Sequence, residues 1–425
     1  SVSQICKQLL INEKIKFVGQ KNTTDQTFEN EMEYSSNFKK KITKKSILVT
    51  NLGYNFKRLI FWTIKNQYKI IYLSFENVNL LKKIIFSLLG VKFVFFDKKP
   101  IKNLNSVKID EINFTTNKND FSNILNIRRK QSINFLFDLK QRCKIANDFI
   151  TKHNPGMILL NYVRGLDGYC AEVAKKNQIP SICISHGTIA KSYNEFDDLY
   201  KKIIAENVFS GDSKFFAIRT RITDEALQTH KISGKPIRTG NIIFAEAKRK
   251  YKKKYISYAV TMKDFVNFQF YGVEMYYEFF NNLKIFQSIS EKEKFDFLIK
   301  PHPSIKNCIK DLEKLFPNLE FTNDKIEKVL EKSFVTISYS SSTIDDSICS
   351  KVPVILFDPW SRYKHCSSQE DPKINNCAVY YMKNKDNLIS AIKTIILSDN
   401  INFNDFIFNG KANQNIKKMF YDQLS

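Results

Sequence analysis

Two polar clusters in the second half of the chain have the residue types that bind a phosphate group. The first is Lys300-Pro301-His302-Pro303, and the second is the hydroxyl-rich stretch Ser338–Thr343. An imidazole, a lysine and several hydroxyls that meet on one phosphate can neutralise the charge that develops on a leaving group. Pro301 and Pro303 restrict the backbone on both sides of His302, so the direction of its ring is held.

Each cluster directly follows a short apolar run, at residues 297–299 and 334–337. Such runs are typical of strands buried on both faces of a parallel sheet. Ligands of open α/β sheets bind outside the carboxyl ends of the strands, so we expect both clusters in a binding crevice. Hydroxyls before a helix also serve as N-caps, and neighbouring residues of the second cluster can divide the two roles between them, aided by the helix dipole.

A further set of chemically competent residues lies in the first half of the chain. Ser185-His186-Gly187-Thr188 closes a predicted strand at 181–185, and Gly187 lets the backbone approach a ligand closely. The imidazole of His186 is a candidate general base. Glu206 is a candidate for holding a ligand rich in hydroxyls.

The stretch Arg164-Gly165-Leu166-Asp167-Gly168 follows another predicted strand, at 157–161. Asp167 has two interpretations. It is either the N-cap of the next helix or a general base that takes a proton from an attacking hydroxyl, in competition with His186. Arg164 is a candidate substrate-binding residue beside it.

Strands and helices alternate along the whole chain, which predicts an α/β fold with mostly parallel, doubly wound sheets. Strands are predicted at 46–50, 69–75, 91–96, 157–161, 181–185, 214–219, 236–239, 255–260, 295–299, 319–321, 334–338 and 354–357. Helices are predicted at 56–66, 78–89, 120–153, 168–177, 223–230, 271–287 and 325–331, and residues 385–424 are predicted to be mostly helical. Two Rossmann-like domains that face a central cleft follow, at 1–245 and 246–425, with the last helix packing back on the first domain.

The composition bounds the class of protein. The 425 residues suffice for two domains, and no apolar stretch reaches the roughly 20 residues that span a bilayer. The eight cysteines form no CxxC pair and no secretory segment leads the chain, which predicts reduced thiols in a cytoplasmic protein. The net charge of +24 fits a surface that attracts nucleic acid, anionic lipid or acidic polysaccharide, or equally a compositional bias towards lysine.

Several common chemistries are disfavoured by missing motifs. The chain has no GxGxxG after its first predicted strand and no Walker phosphate loop, which weakens dehydrogenase and ATPase interpretations. Its five histidines form no HExxH and no His/Cys cluster at metal spacing, so we expect no zinc site.

The ordered set of motifs resembles GT-B glycosyltransferases of bacterial surface polysaccharides. More narrowly, it resembles enzymes with CMP-activated donors: Kdo transferases of capsule and lipopolysaccharide synthesis, and bacterial sialyl- and polysialyltransferases. Their HP motif matches His302 and Pro303, and their Ser-rich motif, which binds the CMP phosphate and nucleotide, matches Ser340, Ser341 and Ser342, with Thr343 next to it. Their acidic-Asp-Gly base motif matches Leu166-Asp167-Gly168, with Leu166 in place of the acidic residue.

A sister family is similar over two of the same segments. Ser185-His186-Gly187-Thr188 is similar to the His-Gly-Thr segment of CDP-glycerol glycerophosphotransferases of teichoic acid synthesis. Ser338-Tyr339-Ser340-Ser341 is similar to their Asp-Tyr-Ser-Ser segment, with Ser338 in place of Asp. In that family the base would correspond to His186.

The resemblance implies a cytoplasmic or peripheral membrane transferase with a nucleotide sugar as donor and a glycan or glycolipid as acceptor. It implies that Lys300, His302 and the serines hold the departing CMP without a metal or other cofactor, and that the basic surface meets an anionic acceptor or the inner membrane face. Two other classes of protein stay open. One is a UDP-sugar epimerase of the same fold, and the other is a nucleic-acid-binding protein, which only the net positive charge supports. We expect no nucleic-acid partner, because most aromatic residues lie in apolar runs.

Overall fold

The computed structural model describes most of both halves of the chain. The described residues are 46–50, 63–65, 67–75, 80–95, 142–184, 189–193, 211–229, 233–240, 254–260, 274–302, 308–339, 341–361, 364–408 and 412–424, with 139, 195, 198, 202, 205 and 209 as single positions.

The first sheet has seven parallel strands in the order β3-β2-β1-β4-β5-β6-β7. Its strands are β1 (Ser46–Val49), β2 (Lys69–Ser74), β3 (Lys92–Phe95), β4 (Met157–Leu160), β5 (Ser181–Cys183), β6 (Phe215–Ile218) and β7 (Lys235–Arg238). The central strands are buried throughout, which explains their continuous apolar sequences. We call this sheet and its helices the first lobe.

The second sheet has six parallel strands in the order β10-β9-β8-β11-β12-β13. Its strands are β8 (Tyr255–Ala259), β9 (Phe297–Lys300), β10 (Glu320–Phe321), β11 (Ser333–Ser338), β12 (Val354–Phe357) and β13 (Val379–Met382). We call this sheet and its helices the second lobe. The predicted α/β fold with two parallel, doubly wound sheets is therefore confirmed.

The helices cover the faces of both sheets. They are α1 (Leu80–Leu88), α2 (Gly165–Lys176), α3 (Arg221–Ala226), α4 (Glu274–Glu293), α5 (Ile309–Leu315), α6 (Ile326–Lys332), α7 (Thr343–Cys349), α8 (Lys385–Ile396) and α9 (Ala412–Leu424), and residues 142–153 are helical as well.

Most predicted elements are confirmed to within a few residues, and the exceptions have local causes. Helix α2 begins three residues earlier than predicted, at Gly165, whose positive φ of 58° is a conformation that glycine adopts without strain. Strand β13 and helix α5 were not predicted. The predicted helix at 120–153 is confirmed over 142–153, whereas residues 120–138 and most of the predicted helix at 56–66 lie outside the described residues.

The C-terminal helix α9 lies against the first lobe, although it follows the second lobe in the chain. Ile416 and Phe420 share a buried apolar cluster with Ile47 and Met157 of the first sheet. The Asn415 side chain also donates a hydrogen bond to the carbonyl oxygen of Arg238 at 3.0 Å. The chain therefore crosses between the lobes at least twice.

No helix among the described residues is both long and apolar enough to cross a bilayer. The cysteines of the described chain all carry free thiols, namely Cys143, Cys170, Cys183, Cys308, Cys349, Cys366 and Cys377.

Candidate functional site

Each sheet has one point where the direction of strand addition reverses. In the first lobe this point lies between β1 and β4, and in the second lobe between β8 and β11. The loops after these strands diverge to opposite faces, so a crevice opens there, and ligands of open α/β sheets bind in it. The candidate residues are best judged by their distance from these two crevices.

Asp167 lies at the crevice of the first lobe and links the two strands that border it. Its Oδ1 accepts a hydrogen bond from the hydroxyl of Thr50, the residue after β1. Its Oδ2 accepts the backbone N–H of Asn161 at 2.8 Å and that of Tyr162 at 3.3 Å, both directly after β4. One buried carboxylate thus ties together the ends of the two strands that border the crevice.

The surroundings of Asp167 act on its protonation in opposite directions. Burial raises the pKa of this carboxyl, and the hydrogen bonds from Thr50, Asn161 and Tyr162 lower the pKa less than burial raises it. A raised pKa suits a group that takes up a proton. The same three hydrogen bonds, however, occupy both of its oxygens.

The N-cap interpretation of Asp167 is wrong. The N-cap of α2 is Arg164, and Asp167 lies in the first helical turn. The exposed guanidinium of Arg164 lies 5.1 Å from the ring centre of Tyr162, within cation–π range. Gly168 is required by packing, because a Cβ there would lie 2.6 Å from the carbonyl oxygen of Val163.

Register places the two candidate phosphate-binding clusters of the second lobe at one edge of the sheet. Ala259 of β8 pairs with Lys300 of β9 on one side. On the other side, the hydroxyl of Ser338, which ends β11, donates a hydrogen bond to the carbonyl oxygen of Ala259 at 3.3 Å. Strands β9 and β11 therefore end at the same level along the sheet, with β8 between them. Their axes are about 10 Å apart.

The residues after β9 combine partial burial with cationic chemistry. Burial lowers the pKa of Lys300, and the nearby carboxylate of Asp324 opposes this shift. The Lys300 ammonium donates to the carbonyl oxygen of Pro301 at 3.1 Å. His302 is half-buried two residues further on. A lysine and an imidazole thus stand together at the end of β9.

The hydroxyls after β11 divide into capping and other positions, as expected from the sequence. The Ser341 hydroxyl accepts the backbone N–H of Thr343 at 3.3 Å, which turns the chain into α7. Ser342 is the N-cap residue, yet its hydroxyl makes no capping bond within the described chain. The Thr343 hydroxyl is buried and has no hydrogen-bond partner among the described residues. Within the part of the chain that the structure describes, the hydroxyls of Ser342 and Thr343 therefore have no assigned structural partner.

The dipole of α7 contributes less to anion binding than the sequence suggested. The helix has seven residues, and Asp345 and Asp346 in its first turn are both buried. Two carboxylates at that end offset the positive pole of the helix. Phosphate binding here would depend on side-chain hydroxyls and on the cations after β9.

The first turn of α7 also makes a buried polar contact between the lobes. Asp345 Oδ1 accepts the hydroxyl of Thr220 at 2.8 Å, and Asp345 Oδ2 lies 4.0 Å from Arg219 Nη2. His365 Nε2 lies 3.8 Å from the same oxygen. Because Arg219 and Thr220 directly follow β6, the carboxyl edge of the first sheet faces α7. Ala190 and Ile222 extend this contact as part of one buried apolar cluster with residues of the second lobe.

The roles of all the expected site residues stay predictions, and five of these residues are not described by the structure. Ser185–Thr188, with His186 and Gly187, lies outside the described residues, as do Glu206, Pro303 and Ser340. Among the described residues, no group of three or more His, Cys, Asp or Glu side chains is placed to hold a metal ion.

Sequence reasoning missed Thr50 and the cross-lobe pair Thr220 and Asp345. Thr50 had a usable signal, because it is the polar residue that ends the first apolar strand. The pair had none, because the two residues meet only when the lobes dock.

Comparison with known proteins supports the architecture. No protein-family model matches the sequence, and no curated protein matches it significantly. The S. aureus MnaA–UDP co-structure superposes with a TM-score of 0.51 at 12% identity, covering 89% of this chain and 97% of that chain. A UDP-N-acetylglucosamine 2-epimerase superposes with 0.50 at 11% identity, covering 90% and 96%. This chain has the GT-B fold.

A third structure is similar at a lower score. The wall teichoic acid polymerase TagF superposes with a TM-score of 0.47 at 14% identity, covering 90% of this chain and 90% of that chain. At these identities a superposition shows the fold alone, so the chemistry has to be argued from the residues.

Proposed function

We propose that this protein is a nucleotide-sugar enzyme that transfers Kdo, sialic acid or a related nonulosonic acid from a CMP-activated donor to a surface-polysaccharide or glycolipid acceptor. One observation carries the proposal. The Lys300–His302 cluster and the Ser341–Thr343 turn leave their strands at the same edge of the second sheet, on both sides of β8. The crevice between β8 and β11, where an open α/β sheet binds a nucleotide, opens at this same edge.

In the proposed donor complex, the CMP phosphate lies between the ends of β9 and β11. The strand axes are about 10 Å apart, so side chains reaching in from both sides can meet on one phosphate. Lys300 supplies positive charge from one side, and the His302 ring supplies a hydrogen-bond donor beside it. Ser341, Ser342 and the matching Ser340 supply hydroxyl donors from the other. This arrangement stabilises the charge that the phosphate gains as the glycosidic bond breaks.

The proposed transfer step balances without a further reactant. An acceptor hydroxyl oxygen attacks the anomeric carbon, and the bond from that carbon to the phosphate oxygen breaks. The bonding electron pair leaves with CMP, and the base takes the hydroxyl proton. Both oxygens of Asp167 already accept hydrogen bonds, so we assign the role of general base to His186. We assign to Asp167 the structural role of linking the ends of β1 and β4 at the crevice.

Metal independence is part of the proposal. The protein groups listed above cover the charge of a departing nucleoside monophosphate, so no divalent cation is required in principle. The docked carboxyl edges of the two lobes would keep water from the donor, since hydrolysis competes with transfer.

A second candidate function is epimerisation of a UDP-sugar. The observation in its favour is that the two structures reported above with TM-scores of 0.51 and 0.50 are a UDP co-structure and a UDP-N-acetylglucosamine 2-epimerase. An epimerase would convert UDP-GlcNAc with no acceptor present. A third candidate, transfer of a polyol phosphate from CDP-glycerol or CDP-ribitol, uses the same serine turn with His186 as base.

A thermal-shift panel with CMP, CDP, UDP and GDP tests the proposal. We expect the largest stabilisation with CMP and its loss in His302→Ala. The matched control is His153→Ala, which removes an imidazole whose ring centre lies 4.5 Å from that of Phe149 in the first lobe, and it should keep the CMP response. A preference for UDP, followed by conversion of UDP-GlcNAc alone, would overturn the transferase in favour of the epimerase. A preference for CDP would favour the polyol-phosphate transferase.

A further inference from the structure

Helix α1 exposes a continuous apolar face at the edge of the first lobe. Five large apolar side chains on this nine-residue helix are between 46% and 82% exposed, namely Leu80, Leu81, Ile84, Ile85 and Leu88. Globular proteins do expose single leucines, but a group of this size on one short helix is unusual and marks an interaction surface.

The spacing of these residues places them on one side of the helix. At about 100° per residue, positions 80, 81, 84, 85 and 88 fall within an arc of about 140°. Phe86 points to the opposite side, where it is 4% exposed and packs into the buried cluster of the first sheet. The helix is thus fixed to the lobe by one side and presents the other side outward.

Positive charge is concentrated in the sequence around this face. On the same helical projection, positions Lys82 and Lys83 fall about 130° to either side of the centre of the apolar arc. From residue 80 to residue 108 the sequence contains seven lysines and one acidic residue, Asp97. An exposed apolar strip within a lysine-rich segment of the sequence has the composition of a helix that lies on an anionic lipid surface.

We propose that α1 docks the first lobe on an anionic membrane surface, with its apolar face among the acyl chains and the net positive charge of the chain attracting the lipid headgroups. This inference goes beyond the proposed function, because it involves neither the nucleotide crevice nor any transfer chemistry. A second copy of this chain fits the face less well. A two-fold contact would bring the lysines of both copies together, and a helix about 13 Å long buries less than the roughly 1,000 Å² of a specific interface.

Vesicle co-sedimentation with the full chain tests the proposal. We expect binding to phosphatidylcholine vesicles that contain 30% phosphatidylglycerol, weak binding to pure phosphatidylcholine, and weaker binding at high salt. The double substitution Ile84→Gln/Leu88→Gln should weaken binding at least about ten-fold, because it removes two of the inserted side chains. Both positions are exposed and Gln is a good helix former, so the variant is expected to fold.

A matched control is available at the end of α8. Ile396 and Leu397 are 51% and 77% exposed, close to the 48% and 82% of Ile84 and Leu88. Ile396→Gln/Leu397→Gln should bind vesicles as the unmodified chain does. Equal loss in both variants, or no binding of the unmodified chain to anionic vesicles, would overturn the proposal. A dimer that dissociates only in the α1 variant, without vesicle binding, would assign the face to a second copy instead.

Discussion

Replacing Asp167 by Ala tests whether this carboxylate holds the crevice of the first lobe or performs chemistry in it. The substitution removes the acceptor for three donors: the Thr50 hydroxyl and the backbone N–H groups of Asn161 and Tyr162. The ends of β1 and β4 lose their shared partner. We therefore expect a large loss of stability in the first lobe.

The magnitude follows from the number of hydrogen bonds and from the cost of burial. A hydrogen bond to a charged group contributes about 1.5–3 kcal/mol, and unpaired buried N–H groups add a penalty. Burial raises the pKa of Asp167, so removing the buried charge recovers part of this energy. A net loss of about 2–4 kcal/mol is expected, which lowers the melting temperature of a domain of this size by about 5–15 °C.

Urea unfolding of the unmodified chain, Asp167→Ala and Asp167→Asn at several pH values is the appropriate assay. A carboxyl whose folded-state pKa is raised stabilises the fold most below its unfolded pKa, and this contribution is lost as pH rises through the raised value. Asn cannot ionise. The stability advantage of the unmodified chain over Asp167→Asn should therefore shrink as the pH rises from about 4 to neutrality.

Two results would refute this reasoning. An advantage that grows with pH would mean that the charged carboxylate is the favoured form in the fold. Unchanged unfolding of Asp167→Asn together with complete loss of transfer would make Asp167 the base and remove His186 from that role.

Three further predictions concern the contact between the lobes, the cation after β9 and the turn before α2. Thr220→Val deletes the hydroxyl that donates to buried Asp345 and should lower the free energy of unfolding by about 1.5–3 kcal/mol in calorimetry. The control Thr229→Val, at an exposed position, should lower it by less than about 0.5 kcal/mol. Equal losses in the two variants would contradict a stabilising contact between the lobes. Burial lowers the pKa of Lys300 from its ordinary 10.5, so the affinity for CMP, measured by calorimetric titration, should begin to fall at a pH below 10.5. Lys300→Arg should abolish this loss of affinity, because arginine stays charged at alkaline pH. A pH profile of Lys300→Arg identical to that of the unmodified chain would exclude the Lys300 ammonium from binding. Gly168→Ala forces a Cβ to within 2.6 Å of a backbone oxygen and should destabilise the chain by about 1–3 kcal/mol in urea, and a neutral result would show that the turn can shift.

Much of the fold was predictable from local sequence. Strands such as Phe297–Lys300 and Val354–Phe357 are buried on both faces, so they read as continuous apolar runs. The polar residues that follow such runs must lie at the carboxyl edge, which is why the two clusters of the second lobe were found together. Strand β13 carries the same signal in Val379-Tyr380-Tyr381-Met382, but it was not recognised.

The rest depends on tertiary packing. The side chain of Thr220 looks like an N-cap at the start of α3, yet its hydroxyl donates across to Asp345 in the other lobe. The sequence pattern does not show which acceptor the Thr220 hydroxyl takes, because Asp345 comes near it only when the lobes dock. Similarly, the sequence placed Asp167 next to the start of α2 but could not show that Thr50, 117 positions away, donates to it.

A structure determined with CMP bound tests the central claim most directly. The account predicts the phosphate between the ends of β9 and β11, with hydrogen bonds of about 3 Å to the His302 ring and to at least one serine hydroxyl of the turn before α7. A phosphate bound elsewhere, with His302 and Ser341 both out of reach, would contradict it.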